Sequence, residues 1–300
     1  MPKPLVIQEK RRILLQIIIA GTGANGSHFL RNILQNIRAK LDSFSHSSVP
    51  TLDVDITIVD KDKVERKNLG NQLFDKDDID EYKCVALAER YGEHYNLDIK
   101  RVTEYIKSID MLKALFPPIE DISNETQVIP ILCGMVDNNK SRQLFDEFFN
   151  LPDVDNLIYL DLGVEGVSIT NKATNQLTED EKRSIRNSGF GGQCVVGVKN
   201  RGEVILPPVG SVYSNILEDA GSSFPDESCG EAVINNPQRV DTNRLAAEVA
   251  ATYINNLLHT GSIYSHRIEF NAQYGGSRPV FIQDESINKL KEVRQKGSNR

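Results

Sequence analysis

Ile13–Gly26 reads ILLQIIIAGTGANG: an apolar, β-branched run that enters Gly21-x-Gly23-x-x-Gly26 without a break, before a long amphipathic segment. A strand ending in such a loop aims the unpaired N–H groups of a helix start at whatever lies above it. The helix dipole adds to the preference for an anion. Gly21, Gly23, Ala24 and Gly26 therefore read as a phosphate cradle, the bland alternative being a tight strand-to-helix turn. By itself the loop says nucleotide without saying which one.

Outward from it, strand-like runs at Ile13–Ala20, Val54–Val59, Val128–Leu132 and Leu157–Leu160 alternate with helical patterns at Ala24–Leu41, Lys83–His94 and Asn138–Phe149. That alternation predicts an α/β fold with a doubly wound, mostly parallel, Rossmann-like sheet. Ligands of such sheets sit beyond the carboxyl ends of the strands. The glycine loop, Asp60 and Asp137 each follow a strand and should converge there. The polar stretch Ser43–Thr51 sets Asp60 well beyond the roughly 20-residue spacing of a compact dinucleotide fingerprint. After Asp161 the pattern changes to glycine- and proline-rich segments, short β-like runs at Gln193–Val198 and Glu203–Leu206, and a helix over Arg244–Leu258 stopped by Gly261. The expected organisation is a nucleotide-binding core over 1–165 and a C-terminal extension over 166–287 packed on it within the same domain. A frayed tail is expected over 288–300.

The 300-residue chain carries a net charge of −7, with 26% charged and 39% hydrophobic residues. This is ordinary globular composition, with no electrostatic footprint for nucleic acid or an anionic membrane surface. Lys10-Arg11-Arg12 before ILLQIIIA imitates a signal peptide, but the run is short, contains Gln16 and lacks a small-residue cleavage site; it reads as a buried strand. Four dispersed cysteines (Cys84, Cys133, Cys194, Cys229) form no CxxC pair, so no structural zinc is expected and reduced thiols in a cytoplasm fit best.

Asp60-Lys-Asp62-Lys-Val64-Glu65-Arg-Lys-Asn68-Leu69-Gly-Asn71-Gln72 resembles the signature D-x-D-x-V-x-x-x-N-L-x-R-Q of the ThiF/MoeB/ubiquitin-activating superfamily. Tyr82-Lys83 matches the lysine that follows. Gly134-Met-Val-Asp137-Asn138 is a one-residue looser form of the family's G-x-D-N, with Arg142 after it. Ser228-Cys229-Gly-Glu-Ala-Val233 is similar to the C-x-E-A-G-V segment of bacterial members. The nearest likeness is to ThiF-like proteins of PRTRC-type bacterial gene clusters, and it runs from about Leu14 to Leu258. It implies ATP-dependent adenylation of the C-terminal carboxylate of a small ubiquitin-like or sulfur-carrier protein by a homodimer. In that reading Asp60 accepts from the ribose, Asp62 belongs to the nucleotide site, and Asn68, Asn71, Gln72 and Lys83 serve the phosphates. Asp137 is the Mg²⁺ ligand with Asn138 beside it, and Cys229 is the acceptor thiol.

The chemistry agrees. Attack of a carboxylate on the α-phosphorus of ATP gathers negative charge, so catalysis is positioning and electrostatic stabilisation. Magnesium favours a carboxylate plus phosphates and waters. Each residue also has a plainer reading: Lys83 as a solvated helix residue, Asp137-Asn138 as a helix N-cap, Cys229 as an inert thiol whose flanks Asp226, Glu227 and Glu231 oppose thiolate formation. Asn71 stands where the family has arginine, and an amide lacks the forked, permanent charge. A non-catalytic nucleotide-binding relic is therefore the alternative. An NAD- or FAD-dependent oxidoreductase shares only the glycine loop and Asp60.

Overall fold

The computed structural model describes residues 3–43, 52–119, 122–168, 170, 172–225 and 238–298. Its strands are β1 (Leu5–Val6), β2 (Arg12–Ala20), β3 (Leu52–Val59), β4 (Ile99–Val102), β5 (Thr126–Gly134), β6 (Leu157–Val164), β7 (Gly191–Asn200), β8 (Glu203–Leu206), β9 (Ser262–Ile263), β10 (Ser265–Asn271) and β11 (Gly276–Phe281). The helices are α1 (Ala24–Asp42), α2 (Lys83–Tyr95), α3 (Ile109–Leu115), α4 (Asn139–Asn150), α5 (Glu179–Asn187), α6 (Val209–Val212), α7 (Asn215–Glu218), α8 (Val240–Thr260) and α9 (Asp284–Ser298).

Nine strands make one sheet in the order β11-β10-β7-β6-β5-β2-β3-β4, with β8 on β7. From β4 to β6 neighbours run parallel. From β6 outward they run antiparallel. Strand β2 sits in the middle because it is apolar on both faces. Ile17 and Ile19 join the core beneath α1, α2 and α8. Ile18 and Ala20 join the opposite one, with Leu112, Phe145 and Phe148. Alternate side chains of a strand point to opposite faces, so a strand covered on both sides is apolar nearly throughout; the buried Gln16 of β2 donates to the Pro117 carbonyl at 3.2 Å.

The extension does more than pack on the core. Helix α8 lies along α1, its Ala246, Ala247, Ala250 and Ala251 being buried, while β7, β8, β10 and β11 lengthen the core's own sheet. Strand β4 and helices α3 and α5 are additional to the sequence expectation. The expected frayed tail from Asn288 is instead the body of α9. Most of the Ser43–Thr51 loop lies outside the described residues. No helix among the described residues is long and apolar enough to cross a membrane.

Candidate active site

The glycine loop leaves β2 through Gly21, whose φ of +92° is open only to glycine at little cost. A Cβ there would stand 2.8 Å from the Met135 carbonyl oxygen, and one on Gly26 would stand 2.0 Å from the Gly21 carbonyl oxygen. These two glycines let the start of α1 press against the end of β5. Gly23 differs: a Cβ on it would meet nothing within 4 Å. It is the N-cap of α1, whose first turn holds no acidic side chain. The open space thus lies above a helix start whose dipole and N–H groups favour an anion. Ala24 is the first residue of that helix.

Asp60, 7% exposed at the end of β3, fastens the loop. Its Oδ2 accepts from the Thr22 N–H at 2.7 Å and the Thr22 hydroxyl at 2.8 Å, and its Oδ1 from the Asp62 N–H at 2.9 Å. Burial pushes its carboxyl up from the usual range, against the pull of the Lys83 ammonium. Lys83 is buried at the first position of α2, and its Nζ lies 2.9 Å from Asp62 Oδ2. The Tyr105 hydroxyl donates to the other Asp62 oxygen. Burial raises the Asp62 carboxyl, but Lys83 and Tyr105 outweigh it and hold the group below its ordinary value. Thr22, Asp60, Asp62, Lys83 and Tyr105 therefore form one hydrogen-bonded chain across the ends of β2 and β3. Thr22 and Tyr105 carry no motif of their own; only the fold brings them in.

Asn68 is buried in a short 3₁₀ turn over Arg66–Gly70, and its Oδ1 accepts from the Glu65 N–H at 2.8 Å. The Asn71 and Gln72 N–H groups reach the Asn68 carbonyl at 3.2 and 2.9 Å. Leu73 N–H reaches Ser27 Oγ at 3.3 Å, which lays this segment over the first turns of α1. Arg90 pins the far side through the Leu73 carbonyl at 2.6 Å.

Of the pair after β5, Asn138 takes the capping role: its Oδ1 accepts from the Ser141 N–H at 2.8 Å at the N-cap of α4. Asp137 is left exposed at the rim. Arg142 is buried and turned inward, with Nε 3.2 Å from Asp161 and Nη2 2.7 Å from the Val136 carbonyl oxygen. Ser222 Oγ accepts from the Lys140 N–H at 2.9 Å, and Asn139 Nδ2 donates to Asp219 at 2.8 Å. The chain running toward Cys229 is thus tied to the start of α4. Cys229 itself lies outside the described residues. Cys84, Cys133 and Cys194 are buried, and burial pushes the Cys84 thiol up to about 11.

A nucleoside triphosphate fits what is present. Asn25 Oδ1, Asn71 Oδ1 and Gln72 Oε1 are buried without a partner. A side-chain amide turned over presents a donor in place of an acceptor, so such groups suit phosphate, ribose or base equally. The open face of Gly23 gives the phosphates room. No cluster of three or more potential metal ligands occurs among the described residues. A magnesium ion held by Asp137 together with phosphates and waters needs no such cluster.

Residues 7–151 match the ThiF family model. Among solved structures, the chain aligns with Escherichia coli MccB crystallised with ATP, at 14% identity and a TM-score of 0.52, over 89% of this chain and 64% of that one. It aligns likewise with the microcin C7 biosynthetic enzyme MccB in complex with N-formylated MccA, at 12% identity and a TM-score of 0.51, over 92% and 65%. These likenesses establish the fold, and the chain spans about two thirds of those proteins' length. No curated protein matches the sequence. The family-model match makes residues 7–151, the part that carries the nucleotide loop, a ThiF-family unit, and the solved structures share the fold of the chain around it.

Proposed function

We propose that the protein is an ATP-dependent adenylating enzyme that activates the C-terminal carboxylate of a small ubiquitin-like or sulfur-carrier protein, or of a peptide. One observation supports this most: within a ThiF-family unit, the open cradle at Gly23, the Asp60–Asp62–Lys83 chain and the rim carboxylate of Asp137 follow neighbouring parallel strands. MccB, of the same fold, has been crystallised with ATP and with AMPCPP and MccA, which supports a nucleotide and a second partner bound together.

In this reading the α1 start and loop N–H groups bind phosphate oxygens, and Lys83 neutralises their charge. The Asn71 and Gln72 amides orient the triphosphate. Asp137 would hold Mg²⁺, which when bound supplies positive charge to the departing pyrophosphate. Asn138, spent on its cap, contributes by fixing the loop. Cys229 is assigned as the thiol that receives the activated acyl group. A homodimer in the cytoplasm completes the proposal.

ATP–pyrophosphate exchange in the presence of the carboxylate partner tests it. Asp137→Ala should reduce exchange by about a hundredfold or more while the melting temperature stays within about 2 °C, because an exposed rim ligand contributes to charge balance and not to packing. Wild-type exchange in that variant would remove the metal role. A second reading rests on Asn71: the chain binds nucleotide without turnover, and then ATP is held while no exchange is seen.

A further inference from the structure

The buried network of Arg142, Asp161 and Tyr159 reaches the loop that carries Asp137. Arg142 is 9% exposed and Asp161 1%. The guanidinium Nε lies 3.2 Å from both Asp161 oxygens, and Tyr159 donates to Asp161 Oδ2 at 3.0 Å. Nη2 donates both to the Val136 carbonyl oxygen at 2.7 Å and to that of Leu162 at 3.2 Å, while Nη1 sits 3.4 Å from Asn139 Oδ1. One planar fork therefore ties the residue before Asp137, the first turn of α4 and strand β6 together. Gly134 stands opposite Asp161 in the β5–β6 register, and a Cβ on it would lie 3.4 Å from Asp161 Oδ2. On its other side the same loop is held to β2, where Met135 N–H donates to the Ala20 carbonyl at 2.9 Å.

We propose that Arg142, held in place by Asp161 and Tyr159, is a positioning residue that sets the height of Asp137 over the glycine loop and so governs how tightly magnesium joins the bound nucleotide. This rests on the metal role assigned to Asp137 above. The physical reason is the shape of the donor. A guanidinium bonds a carboxylate and a carbonyl at once from a rigid fork, whereas an ammonium is a single point of charge. Groups that orient a metal ligand without touching the metal commonly alter its affinity by 10–100-fold.

The test is calorimetry of a non-hydrolysable ATP analogue on the full chain, with Mg²⁺ and with EDTA. Arg142→Lys keeps a positive charge beside Asp161 but cannot also span to Val136. It should lose about tenfold or more of the tightening that Mg²⁺ produces in the wild type, with EDTA affinity held within about threefold. Asp137→Asn should show the same loss, and the double variant no further loss, as two residues acting through one ligand require. Asp161→Asn is read in the same way if Arg142→Lys does not fold. Phe148→Leu, a core change on the same helix, should lower the melting temperature yet keep the magnesium effect. The proposal is overturned if Arg142→Lys keeps the wild-type magnesium effect, or weakens binding equally with Mg²⁺ and EDTA. A wild type that binds the analogue without any magnesium effect overturns the metal role of Asp137 and this proposal together. No binding under either condition removes the nucleotide reading itself.

Discussion

At the scale of single residues, Asn71 departs from the family pattern at a place where its amide oxygen is buried without a partner. Nearby cations are partly engaged: Lys67 sits 3.0 Å from Glu65, both side chains being 61% exposed. An exposed pair of this kind is easily given up for a phosphate. Asn71→Arg should therefore raise pyrophosphate exchange by about tenfold, while Arg66→Ala combined with Lys67→Ala should lower it; a charge placed against developing phosphate charge has effects of this size or larger. Steady-state exchange rates at saturating ATP decide the matter. His28 carries a different signal. Burial, then the guanidiniums of Arg31 and Arg244, push its imidazole down to about 4. The unfolded chain then binds a proton that the folded one refuses. Stability is complete above about pH 6.5 and falls as pH drops toward 4, by about 1–2 kcal/mol after allowance for solvent screening. Urea unfolding between pH 4 and 7 should show this slope, and His28→Asn should flatten it.

At the scale of elements, the turn from β2 into α1 uses its glycines for different ends. Gly26→Ala places a methyl group 2.0 Å from a backbone oxygen, so strand and helix must part. A loss of about 3 kcal/mol is expected, at the upper end of overpacking costs. Gly23→Ala meets no atom within 4 Å, so it should cost only about 1 kcal/mol of stability, through the weaker N-cap, while it costs at least about tenfold in nucleotide affinity by filling the cradle. Thermal melts and calorimetry on the two variants separate packing from binding. Equal losses of stability would contradict the open face at Gly23.

At the scale of the whole molecule, the candidate site gathers the ends of β2, β3 and β5, with the Asp219 to Ser222 segment tied to the start of α4. A ligand that spans these parts binds the folded chain only. ATP with magnesium at a hundred times its dissociation constant should stabilise the fold by about 2.7 kcal/mol, several degrees in melting temperature, whereas NAD at equal concentration should shift it by about 1 °C or less. A scan with both ligands, repeated in EDTA, reads the choice directly. A larger shift with NAD would move the protein to the oxidoreductase alternative.

What the chain's order of residues determines by itself is the set of central parallel strands β2, β3, β5 and β6 and the glycine loop, whereas the edge strand β4 shows only in the fold. Strands such as ILLQIIIA are buried on both faces and are written as near-continuous apolar runs, interrupted there by Gln16 alone, so each is visible alone. The loop is equally local, since Gly21 needs its positive φ whatever surrounds it. The antiparallel half is different. Strand β10 reads SHRIEFN and β11 reads GSRPVF, mixed sequences whose pairing depends on β7, more than sixty residues earlier. Nothing near β10 in sequence announces that partner. The site divides in the same way. Asp60, Asp62, Lys83 and Asp137 stand in readable motifs, but Thr22 and Tyr105, which bond Asp60 and Asp62, and Asp161, which bonds Arg142, have none. Arg142 follows Asp137 in the motif without showing which way its side chain turns. Only the β5–β6 register, which sets Gly134 beside Asp161, turns it inward, because a buried carboxylate demands a partner and this guanidinium is within reach.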